Sequence, residues 1–277
     1  MPFDSIGDVM TNMLLQWAHP AEAEEGDYRD DEGILICGKC NQAKETPVEI
    51  AGNRYIAACM CQCQTDAYEL EKQRMALEQR LMYLRQLPIY GLHDKTISDK
   101  TFAAAEPNIY LDKCKQFADA FKEVCGEGLG LMLCGPVGCG KTFAAACIAN
   151  ELIKKGVGVL VTSFPAILKA VIPINEIIQQ SDAFDLIVVD DLGAERDTDY
   201  AAEIVYQFID NRYKVKLPLI VTTNLAPADM QNQTDVRYRR IYDRVQEMCI
   251  PMVMKGANRR EANRKTKAAL LRQIING

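Results

Sequence analysis

Residues 129–142 read Leu-Gly-Leu-Met-Leu-Cys-Gly-Pro-Val-Gly-Cys-Gly-Lys-Thr. A short apolar run, Leu129 to Cys134, leads into a glycine-rich loop, and a helix-forming segment follows from Phe143 to Lys154. Gly135-Pro136-Val137-Gly138-Cys139-Gly140-Lys141-Thr142 fits the pattern G-x-x-x-x-G-K-[ST] in full, in the strand-then-helix setting that makes the pattern a phosphate cradle. Glycines let backbone N–H groups close on phosphate oxygens with no Cβ in the way. The helix opened by the loop turns the positive end of its dipole toward the anion. Lys141 supplies a mobile charge for the β- and γ-phosphates, and the Thr142 hydroxyl is placed to ligate Mg²⁺. The loop residues Gly135, Pro136, Gly138, Cys139 and Gly140, together with Lys141, Thr142 and Phe143, are therefore candidate ATP-binding residues.

Downstream, Leu186-Ile187-Val188-Val189-Asp190-Asp191 is an apolar strand ending in two acids. Adjacent carboxylates at a strand end repel one another without a cation nearby. Asp190 is the candidate Mg²⁺ partner, and Asp191 stands where a base or water-orienting group belongs. A further buried run, Pro218 to Thr222, ends in Thr223-Asn224, and Asn224 could position water beside the γ-phosphate. Val157–Thr162 and Ile250–Met254 complete five apolar runs, with Phe164–Gln180 and Tyr200–Tyr213 helical between them. Buried runs alternating with helices predict an α/β domain with a five-stranded parallel sheet covered on both faces.

The composition, 48% hydrophobic and 25% charged over 277 residues, is that of a chain able to bury a sizeable core. A net charge of −6 excludes a DNA-coating protein. The charge is segregated: residues 1–33 are strongly acidic and residues 237–277 strongly basic. No apolar run reaches the ~18–20 residues of a membrane span, and the N-terminus lacks a signal-peptide pattern, so a cytoplasmic protein is expected. Of eleven cysteines, six are scattered and read as small buried apolar residues. The other five, Cys37, Cys40, Cys59, Cys61 and Cys63, are bunched. In a reducing compartment that bunching points to a metal before disulfides, with four of the five as tetrahedral ligands of a structural zinc.

Three segments follow. Residues 1–33 read as an acidic tail, with a short amphipathic helix (Ile6, Met10, Met13, Leu14, Trp17) before a solvated run from Glu22 to Glu32. Residues 34–87 read as the cysteine module plus a helix whose stripe is Leu70, Leu77, Leu81 and Leu84. Residues 88–277 read as the nucleotide-binding domain.

The run Asp190-Asp191-Leu192-Gly193-Ala194-Glu195, then Ile209-Asp210-Asn211-Arg212-Tyr213, then Thr222-Thr223-Asn224-Leu225 resembles the DnaC/DnaI/IstB branch of the AAA+ ATPases, over about residues 91–261. The resemblance implies Lys141 and Thr142 as Walker A, Asp190 and Asp191 as Walker B, and Asn224 as sensor 1. It implies an arginine finger at Arg244, with Arg240 second, and sensor 2 at Arg260, with Arg259 beside it. Arg212 is another possible contact between subunits. The usual Asp-Glu pair is Asp-Asp here, one methylene shorter, which implies slow unassisted hydrolysis. DnaI-like and phage loader proteins carry a similar cysteine module commonly ending C-x-C, which favours Cys61 and Cys63, with Cys59 as the alternative. The function so implied is an ATP-dependent loader of a DnaB-type replicative helicase onto single-stranded DNA, phage-encoded or from a mobile element and acting in the bacterial host cytoplasm. It would assemble with further copies through the ATP site. Lys169, Thr162 and Ser163 would meet DNA phosphates. An IstB-like transposition helper, or an ATP-gated helicase-binding adaptor or inhibitor, are the alternatives.

Overall fold

The computed structural model describes residues 19–194, 198–256, 258, 264, 267–268 and 271–275, so the expected helix within 4–18 and the arginines 259 and 260 lie outside the described residues. The chain divides into two units, residues 1–79 and 80–277.

In the first unit β1 (Tyr28–Arg29) pairs antiparallel with β2 (Leu35–Ile36), and β3 (Glu45–Ile50) with β4 (Asn53–Ala58). Helix α1 (Gln62–Gln86) follows, and the division between units falls within it. The β3–β4 hairpin has no counterpart in the sequence-based expectation. Most of its residues are partly or fully exposed, so the apolar alternation that marks a half-buried strand is missing. Two buried charges organise the unit. Lys44 is 2% exposed, and its Nζ lies 2.7 Å from Asp27. The Glu45 carboxylate is fully buried and accepts from Leu35 N, Ala21 N and Arg29 Nη1. Both ions meet partners because a buried charge without one is costly. The acidic run is therefore not simply a solvated linker: Asp27 lies against Lys44, and Lys44 holds its carboxyl down to about 2.

The second unit begins with the end of α1 and two short 3₁₀ turns, Pro88–Leu92 and Lys95–Ile97. Then come α2 (Ile109–Asp119), α3 (Phe121–Gly126), β5 (Gly130–Cys134), α4 (Lys141–Lys154), β6 (Val159–Ser163), α5 (Phe164–Leu168) and α6 (Ile174–Ser181). After them run β7 (Leu186–Leu192), α7 (Asp199–Lys214), β8 (Leu219–Thr223), α8 (Pro227–Gln231), α9 (Val236–Met248) and β9 (Cys249–Val253). The five strands form one sheet in the order β6-β7-β8-β5-β9, every neighbouring pair parallel. One apolar core holds Phe164, Ile177, Phe208 and Ile241 from α5, α6, α7 and α9; the other holds Leu111, Ile148 and Leu152 from α2 and α4. Helices on both faces explain why the strands read as continuous apolar runs. The segment Phe164–Gln180 is two helices, with Ser163 capping the first and Pro173 preceding the second.

The leucine stripe of α1 does not act as one face. Leu84 is buried in the second unit's core with Leu81 packed against it, whereas Leu70 and Leu77 are exposed.

Arg212 is a second correction. Its side chain is wholly buried and donates to Ser181 O (3.1 Å), Phe184 O (3.0 Å) and Pro218 O (2.8 Å), tying the end of α6 and the residues leading into β7 and β8 to α7. Burial pulls the guanidinium down to about 10, which still leaves it charged at neutral pH. It is a brace within the fold and is not available to a neighbouring subunit. Arg212→Met orphans three carbonyls and is expected to lower the unfolding free energy by about 3 kcal/mol or more in urea denaturation. Loss of ATP turnover with unchanged stability would instead restore the intersubunit role.

Candidate nucleotide and metal sites

The strand order decides which residues meet. β8 lies between β5, which carries the glycine loop, and β7, which carries the acids. The C-terminal ends of the three strands therefore bring the loop 135–140, Asn224 and Asp190-Asp191 together, in the crevice where ligands of open α/β sheets bind.

Two glycines of the loop are required by geometry. A Cβ on Gly135 (φ +149°) would stand 2.3 Å from Met254 O, and one on Gly138 (φ +83°) would stand 2.0 Å from Asn258 Oδ1. The chain after β9 thus closes over the loop, where any side chain would collide.

Lys141 is 4% exposed. Its Nζ donates to Gly135 O (2.9 Å), Pro136 O (3.0 Å) and Asn224 Oδ1 (2.9 Å). No carboxylate forms an ion pair with it among the described residues. Its contrast with Lys44 is informative: the Lys44 ammonium has its counter-charge in the chain, and the Lys141 ammonium stands on neutral oxygens of the glycine loop and Asn224. Asn224 is hydrogen-bonded to that ammonium, which could serve an anion such as phosphate.

The acids sit on a register shift between β7 and β8, spanning Val189 to Leu192, with Asp191 at φ +56°. Such a bulge re-aims side chains at a strand end. Thr222 locks it: its hydroxyl donates to Asp190 Oδ1 (2.6 Å) and accepts from Asp191 N (2.9 Å). Thr223 adds a bond to Leu192 O (2.9 Å). Burial pushes the Asp190 carboxyl above its ordinary range, against hydrogen bonds from Thr222 and Thr142 that favour the charged form. The hydroxyl of Thr142 and a carboxylate lifted by burial are a donor set suited to a hard cation. Thr222 escaped the sequence reading, although the polar end of its strand was the available signal.

The remaining arginines are placed differently. Arg244 lies over the Tyr213 ring (4.3 Å), with Nε 3.3 Å from Asp210 and Nη1 3.2 Å from Glu247. Arg240 is exposed, its guanidinium 5.8 Å from the Tyr206 ring centroid. Thr162 is buried and unsuited to a DNA phosphate, and Ser163 Oγ caps α5.

In the first unit the sulfurs of Cys37, Cys40, Cys61 and Cys63 all lie within 4.8 Å of one another. Cys37–Cys63 and Cys61–Cys63 are 3.5 and 3.4 Å apart. A zinc tetrahedron with bonds of about 2.3 Å separates its sulfurs by about 3.8 Å, so the four thiols could hold such an ion. Cys59 stands apart, its Sγ 3.6 Å from Ala43 O. A backbone N–H from Cys63 draws Cys40 down to about 6, while hydrogen bonding to Cys61 and Cys37 pushes Cys63 up to about 12.

The parallel five-stranded sheet and the glycine loop after β5 define an α/β fold of the P-loop class. The chain belongs to the family of IstB-like ATP binding proteins, whose profile matches residues 117–268, just over half of its length. Several curated relatives are named replicative helicase loaders, two of which represent them. DnaI of Bacillus subtilis is 26% identical over 160 residues, covering 52% of this chain and 51% of the relative. DnaC of Escherichia coli K12 is 27% identical over 143 residues, covering 49% and 56%. The chain thus spans about half the length of the curated relatives it matches. A crystal structure of DnaI aligns with a TM-score of 0.50 at 24% identity, covering 58% of this chain and 94% of that one, a likeness of fold. No helix among the described residues is long and apolar enough to cross a membrane.

Thr222→Val keeps the shape but leaves Asp190 Oδ1 and Asp191 N without the hydroxyl. It is expected to cost about 1–3 kcal/mol in urea denaturation, and Thr222→Ser is expected to recover most of the loss.

Proposed function

We propose that the protein is an ATP-dependent loader of a DnaB-type replicative helicase onto single-stranded DNA. The observation that carries the nucleotide half of the reading is Lys141, a buried cation on neutral oxygens at the convergence of the glycine loop, Asn224 and the Asp190-Asp191 bulge. The helicase half is supported by the similarity to proteins named as loaders.

In this reading the loop N–H groups and Lys141 bind the phosphates, and Thr142 and Asp190 hold Mg²⁺, which neutralises phosphate charge. Asn224 and Asp191 orient the attacking water. Asp191, one methylene shorter than the usual glutamate and fixed by its bulge, makes turnover slow until a partner supplies the rest. Self-assembly through the ATP site brings an arginine from the next copy. Arg244 would exchange Asp210 and Glu247 for the γ-phosphate, and Arg240, exposed on the same helix, is the alternative. Arg260 would sense the bound nucleotide. The cysteine module holds a structural zinc and, with α1, grips the helicase; the exposed Tyr68, Leu70, Met75 and Met82 of α1 support that role. Lys169 remains the DNA-contact candidate after β6.

A pull-down with the resident DnaB-type helicase, with and without ATP, tests the reading. Full-length protein is expected to capture the helicase and residues 80–277, which keep Leu81 and Leu84 for their core, to lose it, while Lys141→Ala abolishes ATP-dependent loading. A preference for duplex DNA with no helicase capture would move the protein to the IstB-like transposition role that its family profile also accommodates. The zinc assignment has its own measurement. Elemental analysis is expected to find one zinc per chain, retained by Cys59→Ser and lost by Cys61→Ser or Cys63→Ser.

A further inference from the structure

A cavity of about 280 Å³ opens between the end of β6 and the start of α4, lined by Asp94, Thr142, Thr162 and Asp190 above an apolar floor that includes Ala145 and Val188. Two of these residues, Asp94 and Thr162, have no part in the site described above.

Asp94 belongs to the segment that leads from α1 into the sheet. That segment lies against the outer edge of β6: Asp94 N donates to Val161 O (2.7 Å), and Val161 N donates to His93 Nδ1 (3.2 Å). These bonds, and the cap in which Thr96 N donates to its Oδ1 (2.8 Å), fix where the Asp94 carboxylate stands. Its negative charge acts on Asp190 alongside that of Asp191. Asp94 and Asp190 thus line one cavity beside the Thr142 hydroxyl at the start of α4, a set of oxygen donors that favours an incoming hard cation.

Thr162 supplies the independent observation. It is 3% exposed, it lines the cavity, and its Oγ1 is buried with no hydrogen-bond partner. Buried hydroxyls are nearly always satisfied, by protein or by ordered water. A space of this size holds several waters, each with a share of about 30 Å³. Mg²⁺ dehydrates reluctantly and keeps several of its waters when bound by one or two protein groups and phosphates.

We infer that Asp94 is a positioning residue for the nucleotide's Mg²⁺, accepting hydrogen bonds from waters of the metal's hydration sphere, with Thr162 Oγ1 anchoring the same water layer. The inference rests on the nucleotide reading above. It extends the metal's contacts beyond the phosphate loop and the β7 acids, to the segment ahead of the ATPase sheet.

The test is the dependence of nucleotide affinity on Mg²⁺, read by fluorescence titration with an N-methylanthraniloyl ATP analogue, in EDTA and across a MgCl₂ series. Asp94→Asn keeps an oxygen for the Thr96 cap while removing the charge. Thr162→Val removes a hydroxyl that bonds nothing in the protein, so it should fold even if the first variant does not. Asp99→Asn, at a carboxylate 84% exposed, is the control for general charge. The ratio of affinities with and without Mg²⁺ is expected to fall about tenfold in Asp94→Asn, as for other residues that orient a metal's ligands. It should fall to a smaller extent in Thr162→Val and stay unchanged in Asp99→Asn. Electron paramagnetic resonance of Mn²⁺ with bound nucleotide should show the same order. Wild-type ratios in both Asp94→Asn and Thr162→Val, or an equal fall in Asp99→Asn, would overturn the role of Asp94. Wild-type protein that binds the analogue equally well with and without Mg²⁺ would also overturn the inference, whereas failure to bind the analogue under either condition would overturn the nucleotide reading itself.

Discussion

Lys141 holds its ammonium among the carbonyls of Gly135 and Pro136 and the amide of Asn224, almost out of contact with water. A lysine so placed would normally be paired with a carboxylate. The nearby acids are instead engaged elsewhere: Asp190 takes hydrogen bonds from Thr222 and Thr142, and Asp191 is set by the bulge that Thr222 braces. The sheet order enforces this separation by inserting β8 between the strand of the loop and the strand of the acids. Cationic and anionic halves of the site thus face a common space without neutralising each other, which suits a ligand that carries both phosphate and a divalent cation.

The first unit meets the same physical problem with the opposite solution. Lys44 and Glu45 are adjacent in sequence and both are buried, yet they do not pair with each other. Lys44 takes Asp27, and Glu45 takes Arg29 and two backbone N–H groups. The ion pairs draw the acidic segment onto the cysteine hairpin, and the four gathered thiols bring in the start of α1. A unit of this size has little apolar core to rely on, and its buried charges are paired while its four thiols are gathered into one cluster.

The limits of sequence reading follow from what each pattern encodes. Apolar runs mark burial on both faces in β5 to β8, so those strands were legible; β9 was read from the same pattern, although only Cys249 of it is buried. The β3–β4 hairpin, largely exposed, was not. The leucines of α1 have helical spacing, but spacing alone does not say which leucines find a core, and only Leu81 and Leu84 do. Arg212 is expected from the sequence to reach a neighbouring subunit, which needs an exposed side chain, as arginines usually have. Its burial depends on three carbonyls, from residues 181, 184 and 218, that no local pattern announces.

By itself the sequence determined the phosphate loop, the acid pair, the alternation of strand and helix, and the clustering of cysteines. These are local statements, since each depends on residues within one turn, one strand or one ligand knuckle. Tertiary structure alone decided which cysteine stands apart, because that depends on where β3, β4 and the start of α1 leave each sulfur. It also decided that Asn224 rather than an acid meets Lys141, that Thr222 braces the acids, and that Asp94 and Thr162 line one cavity with Asp190. Those pairings join residues distant along the chain, and the strand order that brings them together is set by how the helices cover the two faces of the sheet.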